Sequence, residues 1–323
     1  MDKVLNFLVA AVLAGTPLLF GTAGEVLTEK SGNLNLGVEG MMFMGGVAGL
    51  AGAYYYEQAV GTPIGWVAIL IAVACAFLCG VLGALIYGFL TITLRANQNV
   101  TGLALTIFGT GFGNFFGEVM HNSVGSYVAV CDVTKNAFSA GIPVLSGLPV
   151  VGKLLFSYNV LVYLAIAVAL GLAWFLGRTR KGLNLIAVGE SPATADAAGI
   201  NVTVYKYLST CIGGGIAGLG GMYIVMVTCS GVWVHNCISG YGWLAVALVI
   251  FATWSPLRSI FCALVFGGLS VLRYYLPLGI PMQIYDILPY VVTVIVLVAI
   301  SMRNKRESQP PASLGSAYFR EER

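Results

Sequence analysis

Charge is what this chain has least of. Sixteen basic and thirteen acidic side chains make up 9% of its 323 residues, against about 25% in soluble domains. That scarcity excludes an ordinary soluble fold. The basic residues do not gather into a patch either, which excludes a nucleic-acid surface and leaves the lipid membrane as the main environment. Histidine occurs only as His121 and His235, far apart, and the seven cysteines show no Cys-x-x-Cys pair and no Cys/His cluster. A metal centre of the usual spacing is therefore not expected. The cysteines read as small packing residues; a Cys229–Cys237 disulfide outside the membrane is left open by spacing alone.

Other absences concern chemistry. Two glycine runs, Gly109–Gly113 and Gly213–Gly221, superficially suggest phosphate loops, yet no Lys-Ser/Thr follows either and no strand pattern precedes them. Small residues at close helix crossings explain them. The chain is thus expected to have no nucleotide site and no cofactor of its own. No paired-carboxylate or Ser-His-Asp constellation occurs, so an enzyme is not expected. No series of buried Asp, Glu or His is spaced as a proton relay, which weighs against a stand-alone secondary transporter or channel. Asp2 and Lys3 cancel and no small-residue cleavage site leads into a soluble domain, so the start does not read as a cleaved signal.

What the chain has in abundance is apolar length. Hydrophobic residues make up 58% and mean hydropathy is +0.89. At about 20 residues per crossing, this gives about nine transmembrane helices, with a range of about 8–10. They fall near 4–27, 36–54, 65–92, 100–118, 158–177, 207–228, 240–253, 258–275 and 286–302. The stretches 240–253 and 258–275 can also form one broken span turning at Trp254-Ser255-Pro256. The expected fold is an all-α polytopic helical membrane protein with at least one broken helix. Residues 1–302 form one transmembrane domain and 303–323 a disordered tail carrying Pro310-Pro311. The loop 119–157 is the longest on the outside and can hold short interfacial helices.

Placing the 178–206 loop in the cytoplasm puts twelve of the sixteen basic residues inside: Arg178, Arg180, Lys181, Lys206, Lys30, Arg95, Arg258, and Arg303, Lys305, Arg306, Arg320, Arg323 of the tail. The C-terminus is then cytoplasmic, and nine spans put the N-terminus outside.

Two segments depart from the apolar pattern. The decapeptide SGNLNLGVEG, residues 31–40, sets three glycines, Asn33, Asn35 and Glu39 between two apolar stretches. Lipid penalises unpaired polar groups by several kcal/mol each, so this run must be buried in protein or line a wet path. The second segment, 178–206, contains a short helix with clear signals. Ser191 is an N-cap, Pro192 suits the first turn, residues 193–198 favour helix, and Gly199 suits a left-handed stop. Such a helix is too short to stand alone. Held between two membrane helices, it makes a rigid knob for a partner's cleft, or else an ordinary capped loop helix.

Together the segments TEKSGNLNLGVEGMM (28–42) and AVGESPATADAAGINV (187–202) resemble the inner-membrane permeases of ABC importers for nucleosides. These belong to the broad family that also serves simple sugars and branched-chain amino acids. The first motif of that branch runs close to E-R-S-G-x-x-N-I-G-L-E-G-M-M; here it is Glu29, Lys30, Ser31, Gly32, Asn35, Leu36, Gly37, Val38, Glu39, Gly40, Met41, Met42. The second resembles G-x-N-P-x-A-A-x-x-A-G-I, matched by Gly189, Pro192, Ala195, Ala198, Gly199 and Ile200, with Ser191 for the usual Asn. TLRANQNVTGLALT (93–106) is also similar to the family's segment after the third span. The resemblance covers about residues 4 to 300 in order and spacing. It implies a permease of the bacterial cytoplasmic membrane that pairs with a second permease around a central path. It also implies an extracytoplasmic binding lipoprotein and a cytoplasmic ABC ATPase that uses ATP and Mg and docks on Gly189, Glu190, Ser191, Pro192, Ala195, Asp196, Ala198 and Gly199. Import of a simple sugar or riboflavin is the alternative within the class.

Candidate path residues are Asn33, Asn35 and Glu39, with Thr101, Thr106, Thr110 and Asn114, which recur along one helical face. For the first three the alternative is internal bonding that holds a broken helix together. For the second group it is hydrogen bonding between helices.

Overall fold

The computed structural model describes residues 2–124, 127–141, 152, 154, 156–276, 281–303 and 309–320. Among the described residues, twelve helices carry the fold. They are α1 (Asp2–Glu29), α2 (Val38–Val60), α3 (Gly65–Gly88), α4 (Gln98–Val124) and α5 (Asp132–Ser139). After them come α6 (Val160–Arg178), α7 (Arg180–Glu190), α8 (Pro192–Ala197), α9 (Val202–Tyr223), α10 (Tyr241–Phe251), α11 (Pro256–Tyr275) and α12 (Met282–Arg303). Single π turns, Phe89–Thr93 and Ile224–Thr228, extend α3 and α9. Among the described residues the only β pairing is an isolated bridge between Ala129 and Val232.

Among the described residues, six helices are long and apolar enough to cross a membrane. They are α1, α3 with its π turn, α4, α6, α9 with its π turn, and α11. The expected nine is not confirmed by length and composition among these residues. α2 is long, but Glu39, Glu57 and three consecutive tyrosines dilute its apolar character. α10 has 11 residues, about 16 Å at 1.5 Å per residue. α12 contributes only Ile287–Val298 as an apolar stretch. The turn expected at Trp254-Ser255-Pro256 separates α10 from α11, with Thr253 and Trp254 at φ 48° and 52°. The short helix α5 lies in the long loop expected to hold such elements.

α9 is the axis of the fold: 83% of its most apolar window is buried. It packs against α1, α2 and α3, while α1 and α2, neighbours in sequence, barely touch. Its glycine run makes this possible. A Cβ at Gly45 of α2 would fall 2.4 Å from the Gly218 backbone, and one at Gly80 of α3 2.4 Å from the Gly214 carbonyl. Small residues thus bring helix backbones together, as expected for close crossings in lipid. Phe20, Phe43, Tyr87, Met42 and Met222 fill the centre of the core.

The tail departs from the sequence expectation. Residues 304–308 and 321–323 lie outside the described residues, but 309–320 pack onto the body. Pro311 is buried, and Leu314 joins a cluster with Leu27, Leu185 and Trp254. The Ser313 N–H donates to the Gly189 carbonyl at 3.0 Å and the Gly315 N–H to Gly32 at 3.2 Å. A low-complexity composition does not register such contacts, because they depend on a groove made by residues far away in sequence.

Candidate functional site

The polar decapeptide is a buried connection between α1 and α2. Ser31, Asn33, Asn35 and Glu39 are all buried, and with the exception of Asn33 Oδ1 their neighbours account for the side-chain polar groups. The Leu34 N–H donates to Gln98 Oε1 at 2.7 Å, and its carbonyl accepts from Tyr87 at 2.6 Å. The Asn35 N–H donates to Glu25 Oε1 at 3.1 Å, while Asn35 Oδ1 accepts from the Gly37 N–H at 2.9 Å. Thr106 Oγ1 donates to the Leu36 carbonyl at 2.8 Å. Glu39, in the first turn of α2, accepts from the Gly240 N–H at 3.0 Å. Asn33 Nδ2 donates to Thr210 Oγ1 at 2.9 Å, but Asn33 Oδ1 is buried without a partner. Glu29, one turn after Glu25, accepts a hydrogen bond from Trp254 Nε1.

The second motif builds a rigid knob. Ser191 caps α8, its Oγ lying 3.4 Å from the Thr194 N–H and 2.8 Å from Thr194 Oγ1. Pro192 occupies the first turn. The helix closes with Ile200 N–H to Ala195 O and Gly199 N–H to Asp196 O, both 3.0 Å. With Gly199 at φ +83°, this pair of bonds is the Schellman closure that the sequence predicts. Ala193, Thr194, Ala197 and Ala198 are exposed. Ala195, named among the docking residues, is instead buried against Val188 and Val202. It anchors the knob, and the outer face of α8 belongs to its neighbours.

Knob and connection touch each other. A Cβ on Gly189 would sit 2.3 Å from the Lys30 carbonyl and 3.2 Å from the Gly32 nitrogen. The end of α7 therefore lies backbone to backbone on the 30–32 turn. Lys30 is partly buried there, which lowers its ammonium pKa, while the nearby Glu190 carboxylate opposes the shift. The tail clasps both parts. Ser313 Oγ donates to the Gly189 carbonyl at 2.5 Å, Tyr318 OH to Asp196 Oδ2 at 2.8 Å, and Arg320 Nε lies 3.2 Å from the same carboxylate oxygen. Two motifs 150 residues apart thus form one unit, strapped by the C-terminal segment.

The α4 stripe divides. Thr101 bonds its own helix at Asn97 O, 2.8 Å, and Thr106 bonds across to Leu36. Thr110 is half-buried. Asn114 lies at the opposite end of the molecule, where its Nδ2 donates to Asn236 Oδ1 at 2.7 Å. Near it, His235 Nδ1 stands 3.2 Å from Glu118. The strongly exposed face of α4 is apolar, with Val100, Ile107, Phe108 and Phe115. Cys229 and Cys237 are free thiols, and the Cys237 S–H pulls the Cys229 thiol below its ordinary value.

Glu29, Trp254 and Lys206 were not singled out as site residues by sequence. Glu25 and Glu29 did carry a signal, as carboxyls four residues apart in an apolar helix. Trp254 and Lys206 carried none, because only the packing of α9 and α10 beside α1 brings them here.

Residues 7–297 match the family described as "Branched-chain amino acid transport system / permease component". The chain is 38% identical over 84% of its length, and 78% of the relative, to "Putative glucose ABC transporter permease protein TsgC13" of Haloferax volcanii. It is 31% identical to the guanosine ABC transporter permease protein NupQ of Bacillus subtilis, over 99% of both chains. It is 33% identical to the nucleoside ABC transporter permease protein NupC of Lactococcus lactis, over 91% of this chain and 92% of the relative. A helical membrane chain with both motifs in place, matched over nearly its whole length, belongs to this family of ABC transporter permease subunits.

Proposed function

We propose that this chain is the transmembrane permease subunit of an ATP-driven importer for nucleosides. The observation that carries the mechanism is the backbone contact between the α7 terminus and the 30–32 turn. A cytoplasmic ATPase gripping the exposed face of α8 would displace α7 with it. Close-packed backbones transmit displacement with little slack, so the motion reaches the connection between α1 and α2 and the helices beside the path. ATP and Mg are used by that partner ATPase. A second permease completes the path, and an extracytoplasmic lipoprotein delivers the solute. The exposed apolar side of α4 suits contact with lipid or with the second permease. The coupling end, with the C-terminal strap, faces the cytoplasm of a bacterial cell, in keeping with the placement of its basic residues.

Nucleosides are the preferred cargo because the guanosine and nucleoside permeases align over 91–99% of this chain. Of the path candidates, Thr110 and Asn114 are the ones we keep for solute contact, being half-buried, whereas Asn33, Asn35, Glu39, Thr101 and Thr106 are buried. The 38% identity to a glucose-type permease supports simple-sugar import as the second reading. Reconstitution with the ATPase, second permease and lipoprotein in proteoliposomes tests both. ATP-dependent uptake of labelled guanosine, with glucose unable to compete, is the expected result. Uptake of glucose alone would move the assignment to sugars, and uptake independent of ATP would refute the importer mechanism.

A further inference from the structure

Where knob, connection and strap meet, they line an open cavity of about 550 Å³. Arg95, Lys206 and Arg320 line it, and Asp196 is the one acidic side chain among the lining residues. That carboxylate is already engaged by Tyr318 and Arg320. Lys206 is 4% exposed. Its ammonium has no hydrogen-bond or ion-pair partner among the described residues. A buried charge without a counter-ion is costly. Asn33, fully buried on the same wall, keeps its Oδ1 unpartnered. Arg95 holds φ +57°, and its guanidinium lies 4.6 Å from the centre of the Phe319 ring. Such a backbone conformation is disfavoured for a side chain of this size. The N-terminus of the 22-residue helix α9 also opens here through Val202 and Thr203, adding backbone donors suited to an anion.

We propose that this cavity binds a small phosphate-bearing anion. A guanidinium fork, a buried ammonium and a helix N-terminus together match a phosphate monoester. The volume falls within the range of about 300–1,000 Å³ that holds small ligands, more than one inserted side chain fills. The unpartnered Asn33 Oδ1 can accept from a hydroxyl of its organic body. The strap supplies one wall through Tyr318 and Arg320, so an occupant tightens the strap on α8, the element proposed to meet the ATPase. The assignment stands on this chain's own residues and does not depend on the nucleoside reading; loss of one leaves the other intact.

The test uses the assembled transporter in nanodiscs of zwitterionic lipid, titrated with ribose 5-phosphate and with inorganic phosphate by calorimetry and phosphorus NMR. Saturable binding is expected at one site per copy of this chain. It should weaken at least ten-fold in Lys206→Met and in Arg95→Gln. If neither soluble phosphate binds, the same complex is tested in nanodiscs containing phosphatidylglycerol. Retention of that lipid in the wild type but not in the variants, by native mass spectrometry, assigns the phosphate to a lipid headgroup. The proposal is overturned if none of these probes binds, or if binding is unchanged in both variants. It is equally overturned if phosphate binds the permeases alone but not the complex, since an acidic side chain of the ATPase then fills the cavity. Should Lys206→Met fail to assemble, Arg95→Gln and Arg320→Gln decide.

Discussion

The contact between α7 and the 30–32 turn can be probed with a single methyl group. In Gly189→Ala the new Cβ would lie 2.3 Å from the Lys30 carbonyl oxygen, so the two backbones must separate by at least about 0.7 Å to reach 3.0 Å. Both neighbours are main chain, and no flexible side chain can yield. Overpacking of this kind costs about 1–3 kcal/mol. Gly199→Ala is the matched control. There the methyl meets nothing within 4 Å, and the penalty comes from φ +83° alone, about 1 kcal/mol. Both variants should unfold at lower temperature than wild type. Only Gly189→Ala should separate the knob from the connection. We therefore expect it to lose several-fold more ATP-driven nucleoside uptake per ATP hydrolysed than Gly199→Ala, measured in proteoliposomes. Wild-type thermal stability and wild-type uptake per ATP in Gly189→Ala would refute the coupling contact.

Asn35→Leu removes the acceptor of the Gly37 N–H and a donor to Glu25. At about 1–3 kcal/mol for each buried group left unpaired, the loss should be about 2–6 kcal/mol, read as a lower unfolding midpoint and poorer assembly. Normal stability with abolished uptake would instead place Asn35 on the solute. Truncation after Arg303 removes the strap from Gly189 and Asp196; limited proteolysis should then cut within 178–206 faster than in the full chain. Asn114→Ala opens only an exposed pair with Asn236 and should shift stability by less than about 1 kcal/mol, so any large fall in its uptake rate reports solute contact.

The sequence by itself determined the class of molecule. Apolar runs and scarce charge dictate helices in lipid, because only there are backbone groups satisfied without water. It also determined the knob, since caps and stops act within a few residues: Ser191, Pro192 and Gly199 behave as their local chemistry requires. It marked the decapeptide as a place where polar groups need partners. The identity of those partners was decided by tertiary structure. Glu25, Tyr87, Gln98, Thr106 and Gly240 converge on residues 34–39 from four separate segments, and no local rule links them. By length and apolar character the described residues give six spans, since α2 carries Glu39 and Glu57 and α10 has 11 residues. The tail shows the same limit: residues 309–320 carry two prolines, a glycine and two serines, yet a groove formed by the 30–32 turn and α7 holds them. Nor could spacing in the chain show that the knob lies backbone to backbone on the decapeptide, since only the packing of α7 on the 30–32 turn brings them together.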